Sequence, residues 1–248
     1  SAFKEILPDL EIRVWPCVGD PNEINLALLW DPPDELFSTV RNLDVIFSVG
    51  AGVDHLIECS TIPTDVPIVR MIDADLTAGM VEYILYHVLR IHRNMDSYFE
   101  QNLKRQWVVL PYKPANELCV GIMGVGELGS AVGTSLHTLG YQVRGWSRIP
   151  KLFPGIQSFF GMSQLSSFLE ETNVLVILLP LTSATRGIIS LDRLMELPLG
   201  SYVINAGRGL LIVEDDLLLA LKLGHISGAT LDVFGNEPLP VTHKFWTN

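Results

Sequence analysis

Positive charge is scarce in this chain. Seventeen lysines and arginines stand against 28 aspartates and glutamates over 248 residues, a net charge of −11. A nucleic acid or an anionic membrane surface wants a basic face, so neither is expected as a partner. Cysteine is scarcer still. The three, Cys17, Cys59 and Cys119, are far apart and odd in number, with no CxxC and no Cys/His cluster. That argues against a disulfide framework and a metal site, and for free thiols in a reducing, cytoplasmic compartment. No apolar run reaches the ~18 residues of a membrane span. The opening SAFKEILPDLEIRVW lacks signal-peptide design, although a targeting segment ahead of it stays open.

What is present is core-forming material: 48% of the residues are apolar. Short apolar runs alternate with helical patterns. Leu26–Trp30, Val45–Val49 and Pro67–Val69 read as strands, and a helical pattern runs from Ala78 to about Lys104 through Val81, Ile84, Leu85, Val88 and Leu89. A second series follows: strand Leu118–Met123, helix Glu127–Leu139, strand Tyr141–Trp146, helix SQLSSFLEE, strand Val174–Leu179, helix LDRLMEL, strand Ser201–Asn205, helix EDDLLLALKLG and strand ATLDVF. Strands apolar throughout and separated by helices argue for parallel sheets covered on both faces. The expectation is α/β with two doubly wound parallel-sheet domains, residues 1–96 and 97–248, the boundary near Asp96.

GIMGVGELGS follows a strand and opens a helix. Gly124 allows the tight turn, Gly126 lets a pyrophosphate approach the backbone, and Gly129 lets the helix pack on the strand. Val125, Glu127 and Leu128 complete the loop, and the helix N-terminus supplies N–H groups and partial positive charge. The residue about 20 positions on chooses the cofactor: a carboxylate binds the ribose hydroxyl of NAD, a cation accommodates the extra phosphate of NADP. Here Ser147 stands eighteen residues past Gly129, with Arg148 beside it and Lys151 near. NADP is favoured, with NAD as the alternative. Further on, INAGRG places Ala206, Gly207 and Arg208 at a strand's carboxyl end, where a guanidinium can grip a carboxylate. LDVFGNEPLP carries Asp232 and Glu237.

Together LLWDPP, GAGVDHL, VEYILYHVLR, VGIMGVGELG, GWSR, LLPLTSATRGII, INAGRG and GHISGATLDVF resemble the D-2-hydroxyacid dehydrogenase family, most closely its glyoxylate/hydroxypyruvate reductase branch. The resemblance implies a flavodoxin-like substrate domain, a Rossmann cofactor domain, and reduction of a small 2-oxo acid with NADPH. It also implies roles. Gly50, Ala51 and Gly52 would offer backbone N–H groups to the substrate carboxylate, with Trp30 walling that pocket. Arg208 would hold the carboxylate and polarise the 2-oxo group; Asp232 would face the nicotinamide amide; Leu179 and Pro180 would line the cofactor cleft. Glu237 would pair with a proton-donating histidine expected beyond Asn248, while His243, six residues past Glu237, matches a loop position. Relatives form homodimers through the cofactor domain, for which Tyr98 to Pro114 could supply the surface. An NAD-linked dehydrogenase of a larger D-2-hydroxy acid and a non-catalytic dinucleotide sensor are the alternatives.

Overall fold

The computed structural model describes residues 2–50, 52–57 and 59–247. Ala51, expected to bind substrate, lies outside the described residues. The chain divides into two compact units, 1–72 and 73–248.

Unit 1 holds helix α1 (Ala2–Ile6), strand β1 (Leu26–Leu29), helix α2 (Leu36–Thr39), strand β2 (Val45–Ser48), helix α3 (Asp54–Ile57) and strand β3 (Ile68–Val69). The strands form one parallel sheet in the order β1-β2-β3. Successive strand side chains point to opposite faces. Ala27, Leu29, Ile46 and Ile68 therefore share a core with Leu36, Phe37, Val40 and Leu56. Leu26, Leu28, Phe47 and Val69 point the other way and are exposed.

Unit 2 begins with helix α4 (Ala74–His92), capped by the Asp73 side chain at the Leu76 N–H, and helix α5 (Met95–Leu103). The single helix expected from Ala78 to Lys104 is thus broken. Asn94 adopts the left-handed region at φ 55°, which ends one helix and starts the next. Then come β4 (Cys119–Met123), α6 (Glu127–Thr138), β5 (Gln142–Ser147), β6 (Gln157–Phe160), α7 (Leu165–Leu169), β7 (Val174–Ile177), α8 (Leu191–Met195), β8 (Ser201–Asn205), α9 (Glu214–Lys222) and β9 (Ile226–Leu231). Strand β6 was not anticipated: QSFF is a short, only partly buried edge strand with no strong period.

All six strands of unit 2 are parallel, in the order β6-β5-β4-β7-β8-β9. The chain reverses its direction of travel between β4 and β7, and a crevice opens at such a point outside the strands' carboxyl ends. Alternation sorts the two cores. Val120, Ile122, Val174 and Val176 pack with α4 and α6 through Ile84, Val88, Val132 and Leu136. Met123, Leu175 and Ile177 pack the other way with Leu165, Phe168, Leu194 and Leu217 of α7, α8 and α9. Ile84 and Val88 explain why the division falls at Ile72/Asp73 and not near Asp96: α4 is sealed into the six-stranded sheet's core. No helix among the described residues is long and apolar enough to cross a membrane.

Burial at the start of β4 pushes the Cys119 thiol up to about 11. The folded state holds that proton after the unfolded chain, with a thiol near ~8.5, has released it. The stability linked to this group is therefore complete below about pH 8.5 and declines as pH rises toward 11. A thiol reagent at neutral pH should modify exposed Cys17 promptly and Cys119 only on global unfolding. Denaturant titrations between these two pH values should show the decline, and Cys119→Ala should reduce it.

Candidate active site

At the carboxyl edge of β4, Gly124 turns the chain at φ 105°. Gly126 starts α6 with no side chain capping the helix, so the first N–H groups point into the crevice. Gly129 lies so close to the strand that a Cβ there would sit 2.1 Å from the Gly124 carbonyl oxygen. At Gly126, by contrast, nothing lies within 4 Å of where a Cβ would be. One glycine is needed for packing; the other leaves room for a pyrophosphate. Val125 is buried, Glu127 is exposed and Leu128 half-buried in the first turn of α6.

The edge of β5 supplies the lip of this crevice. Ser147 is buried and its hydroxyl donates to the Ile149 carbonyl at 2.7 Å, so in this arrangement it shapes the turn. Arg148 is exposed. Lys151 reaches back to donate to the Val125 carbonyl at 3.0 Å, which brings its ammonium to the glycine loop itself. The lip beside the glycine loop thus carries Arg148 and Lys151 and, at Ser147, no carboxylate.

Past β8 a residue not anticipated as functional organises the turn. Asn205 is 1% exposed; its amide donates to the Arg208 carbonyl at 2.9 Å and its Oδ1 accepts the Gly207 N–H at 3.1 Å. The side chain clips Ala206, Gly207 and Arg208 into a loop from which the half-buried Arg208 emerges, its Nη1 donating to the Gly207 carbonyl at 2.8 Å. The signal was legible in retrospect: an asparagine at a strand end before Ala-Gly can close a local side-chain-to-backbone turn. Leu179 and Pro180 follow β7, buried and exposed respectively.

Asp232 follows β9, exposed, its N–H bonded to the Asn205 carbonyl at 3.0 Å. Gly209 presses the Arg208 turn onto the next segment: a Cβ there would fall 1.8 Å from the Phe234 carbonyl carbon. That contact brings the backbone next to Arg208 against the loop between Asp232 and Glu237. Glu237 Oε1 accepts the Phe234 N–H at 2.8 Å. His243 is occupied elsewhere. Its Nδ1 accepts the Phe245 N–H at 3.3 Å, so the proton sits on Nε2, 3.3 Å from Glu214 Oε2. Glu214 also accepts the Gly235 N–H at 2.9 Å. This imidazole ties the segment to α9.

In unit 1, Trp30 follows β1 with its ring laid on the turn after β2. A Cβ on Gly50 would sit 2.3 Å from the indole, and the His55 imidazole stands 4.6 Å from it, ring centroid to centroid. The Gly50 N–H is taken by Ser48 Oγ at 3.2 Å, and that hydroxyl donates to the Gly52 carbonyl at 3.1 Å. The expected donor at Gly50 is thus committed within the turn. Among the described residues no group of histidine, cysteine and carboxylate side chains could hold a metal.

Residues 85–248 match the family described as D-isomer specific 2-hydroxyacid dehydrogenase, NAD binding domain. The glyoxylate/hydroxypyruvate reductase A of Serratia proteamaculans is 40% identical over 251 aligned residues, spanning 99% of this chain and 80% of that protein. A D-isomer specific 2-hydroxyacid dehydrogenase from Xanthobacter autotrophicus, solved with NADPH and MES, superposes with a TM-score of 0.95 at 38% identity, covering 100% of this chain and 80% of that one. The NADPH-dependent glyoxylate/hydroxypyruvate reductase of Sinorhizobium meliloti, solved with NADP and sulfate, gives 0.88 at 38% identity, over 93% and 74%. Matched along its length in sequence and in fold, this chain belongs to the D-isomer specific 2-hydroxyacid dehydrogenase family.

Proposed function

We propose that this chain is a reductase that uses NADPH to convert a small 2-oxo acid of the glyoxylate or hydroxypyruvate type to its 2-hydroxy acid. The observation that carries the reading is the edge of unit 2. An uncapped helix start with open space at Gly126, a lysine drawn onto the loop, and an arginine presented by a buried asparagine all stand at the carboxyl ends of one parallel sheet. The names of the relatives point the same way.

NADPH, when bound, supplies the hydride. The Gly124–Gly129 loop would hold its pyrophosphate, and Arg148 and Lys151 its ribose phosphate, with Ser147 denying that place to a carboxylate. Asp232 would accept from the nicotinamide carboxamide. Arg208 would bind the substrate carboxylate with paired N–H donors and draw charge toward the 2-oxo oxygen. Glu237, one oxygen anchored to its own loop, would present the other to an imidazole. An adjacent carboxylate favours the charged imidazole and so raises its pKa. The imidazolium can then donate a proton to the reacting oxygen, general-acid help worth roughly 10²–10⁴-fold.

The protein is further proposed to be a cytoplasmic homodimer. Its cysteines are free. Helix α5 buries none of its residues, and Phe99, Leu103, Trp107 and Val109 are 64%, 70%, 95% and 81% exposed. A contiguous apolar arm of this kind wants a partner, and a second copy would cover it symmetrically. Trp107→Glu should convert a dimer to monomers in light scattering; a wild-type monomer at micromolar concentration would refute this assignment.

Cofactor choice is tested by calorimetry. NADPH should bind more tightly than NADH, and Ser147→Asp should narrow or reverse that preference by placing an anion against the phosphate. Equal or tighter NADH binding by the unaltered protein would overturn the assignment.

Substrate recognition is tested at the arginine. Arg208→Ala should lower kcat/KM for glyoxylate and hydroxypyruvate by about 10²–10³-fold, the usual loss for an aimed transition-state donor. NADPH affinity should barely change. Normal turnover would mean that another group binds the substrate carboxylate.

A further inference from the structure

The loop from β5 to β6, residues 148–156, carries Arg148 and Lys151 and has little of its own to hold it. None of residues 148–155 is buried, and Leu152 is 91% exposed. The path of the loop is therefore set at its two ends. Arg148 directly follows the last residue of β5, so the strand and the bond from Ser147 to the Ile149 carbonyl locate it. Lys151 stands in the middle, four residues before Gly155. A lysine stem is long and flexible, so its ammonium meets the Val125 carbonyl only while the backbone beneath it stays in place.

The far end is closed by a turn. The Ile156 N–H donates to the Phe153 carbonyl at 3.2 Å, and Gly155 takes φ 75°. Proline second and glycine third, with positive φ at the glycine, is the pattern of a type II turn. Ile156 leaves that turn buried, in a slot between α6 and β5. A Cβ on Gly133 would lie 2.5 Å from its Cδ1, and one on Gly145 would lie 3.0 Å from its Cγ2. That same Cβ on Gly145 would fall 2.6 Å from Val125 Cγ2. Val125 and Ile156 thus rest on one glycine of β5, so the carbonyl that Lys151 grips and the anchor of the lysine's own loop share a floor. His137, in the last turn of α6, closes on the turn from outside. A Cβ on Gly155 would fall 2.7 Å from His137 Cγ, well inside carbon–carbon contact distance. Glycine alone supplies both the positive φ and the space for this imidazole.

We propose that Gly155 is a specificity-determining positioning residue: by seating its turn against His137 it fixes the loop beneath Lys151, and so sets the preference for NADPH over NADH. The inference rests on the reading that Lys151 meets the ribose phosphate. An ammonium carries three N–H donors, and the bond to Val125 uses one. With the far end of the loop seated, the others are aimed before the cofactor arrives, and binding does not have to order them. NADH lacks the phosphate and gains nothing from this arrangement. Gly155 touches no part of the cofactor; it acts through Lys151.

Calorimetry with NADPH and NADH separates this role from a merely structural one, on wild type, Lys151→Ala, Gly155→Ala, His137→Ala and the Lys151→Ala/Gly155→Ala pair. Lys151→Ala should weaken NADPH about ten- to hundred-fold, the range for one hydrogen bond to a charged group, and leave NADH as it is. Gly155→Ala should weaken NADPH about three- to ten-fold, part of that loss, and again leave NADH as it is. His137→Ala removes the ring without straining the backbone and should give a smaller loss of the same selective kind; it carries the test should Gly155→Ala fail to fold. In the pair, Gly155→Ala should add little to Lys151→Ala, because the two changes remove one interaction. If Lys151→Ala leaves NADPH affinity unchanged, the reading of Lys151 falls and the proposal with it. If Lys151→Ala weakens NADPH but the changes at Gly155 and His137 do not, or if they weaken NADPH and NADH alike, Lys151 keeps its role and Gly155 loses the one assigned here.

Discussion

Backbone packed on backbone past the ends of β8 and β9 is the constraint on which the rest of unit 2 depends. Gly209 lies against the Phe234–Gly235 peptide with no room for a Cβ, so the turn that bears Arg208 and the loop that bears Glu237 share one surface. Such contact is permitted only where polar backbone groups are satisfied from the side. Asn205 does this for the first segment, bonding at both ends of the Gly207–Arg208 stretch. Glu237 and Glu214 do it for the second, accepting the Phe234 and Gly235 N–H groups. A glycine and three polar side chains thus replace a ladder that the sheet cannot continue.

The same economy explains how an acidic protein can hold an anionic cofactor. A net charge of −11 repels a dinucleotide phosphate at long range, but at physiological ionic strength that field is screened beyond about 8 Å. What remains is local. The α6 N-terminus offers partial positive charge and unclaimed backbone donors, and Lys151 is pinned to the loop through the Val125 carbonyl. Pinning costs the lysine its rotamer freedom on folding, not on binding, which is the advantage of a prearranged cation.

Much of this was legible in the residues. Strand β8 was read with its observed limits, the glycine loop and Asp232 directly follow β4 and β9, and Arg208 and Glu237 lie in the loops beyond β8 and β9. Local signals of this kind survive because each depends on its immediate neighbours. The misses depended on something farther away. Asn94 looked like one more residue in a helical run, and its left-handed backbone interrupts that run between α4 and α5. Strand β6 has no period of its own and forms because β5 offers an edge. The extent of unit 2 was hidden because α4 joins the six-stranded sheet through Ile84, Val88 and their partly buried neighbours on the helix, contacts that span tens of positions in sequence.

At Ser147 the residue type is legible in the sequence and the bonding is not. By type it declares the absence of a carboxylate, and that part of the cofactor argument needs no coordinates. Its hydroxyl proton goes to the Ile149 carbonyl, a bond that depends on a tight turn after β5. The turn in turn directs Lys151 back toward Val125. On the proposed reading, selectivity at this lip is divided: the serine would remove repulsion and set the path of the chain, and the cations would provide attraction. A carboxylate at this position would do more than introduce charge. It could no longer donate to Ile149, so the turn that delivers Lys151 would lose its tie, and the phosphate site would be weakened through geometry as well as through repulsion.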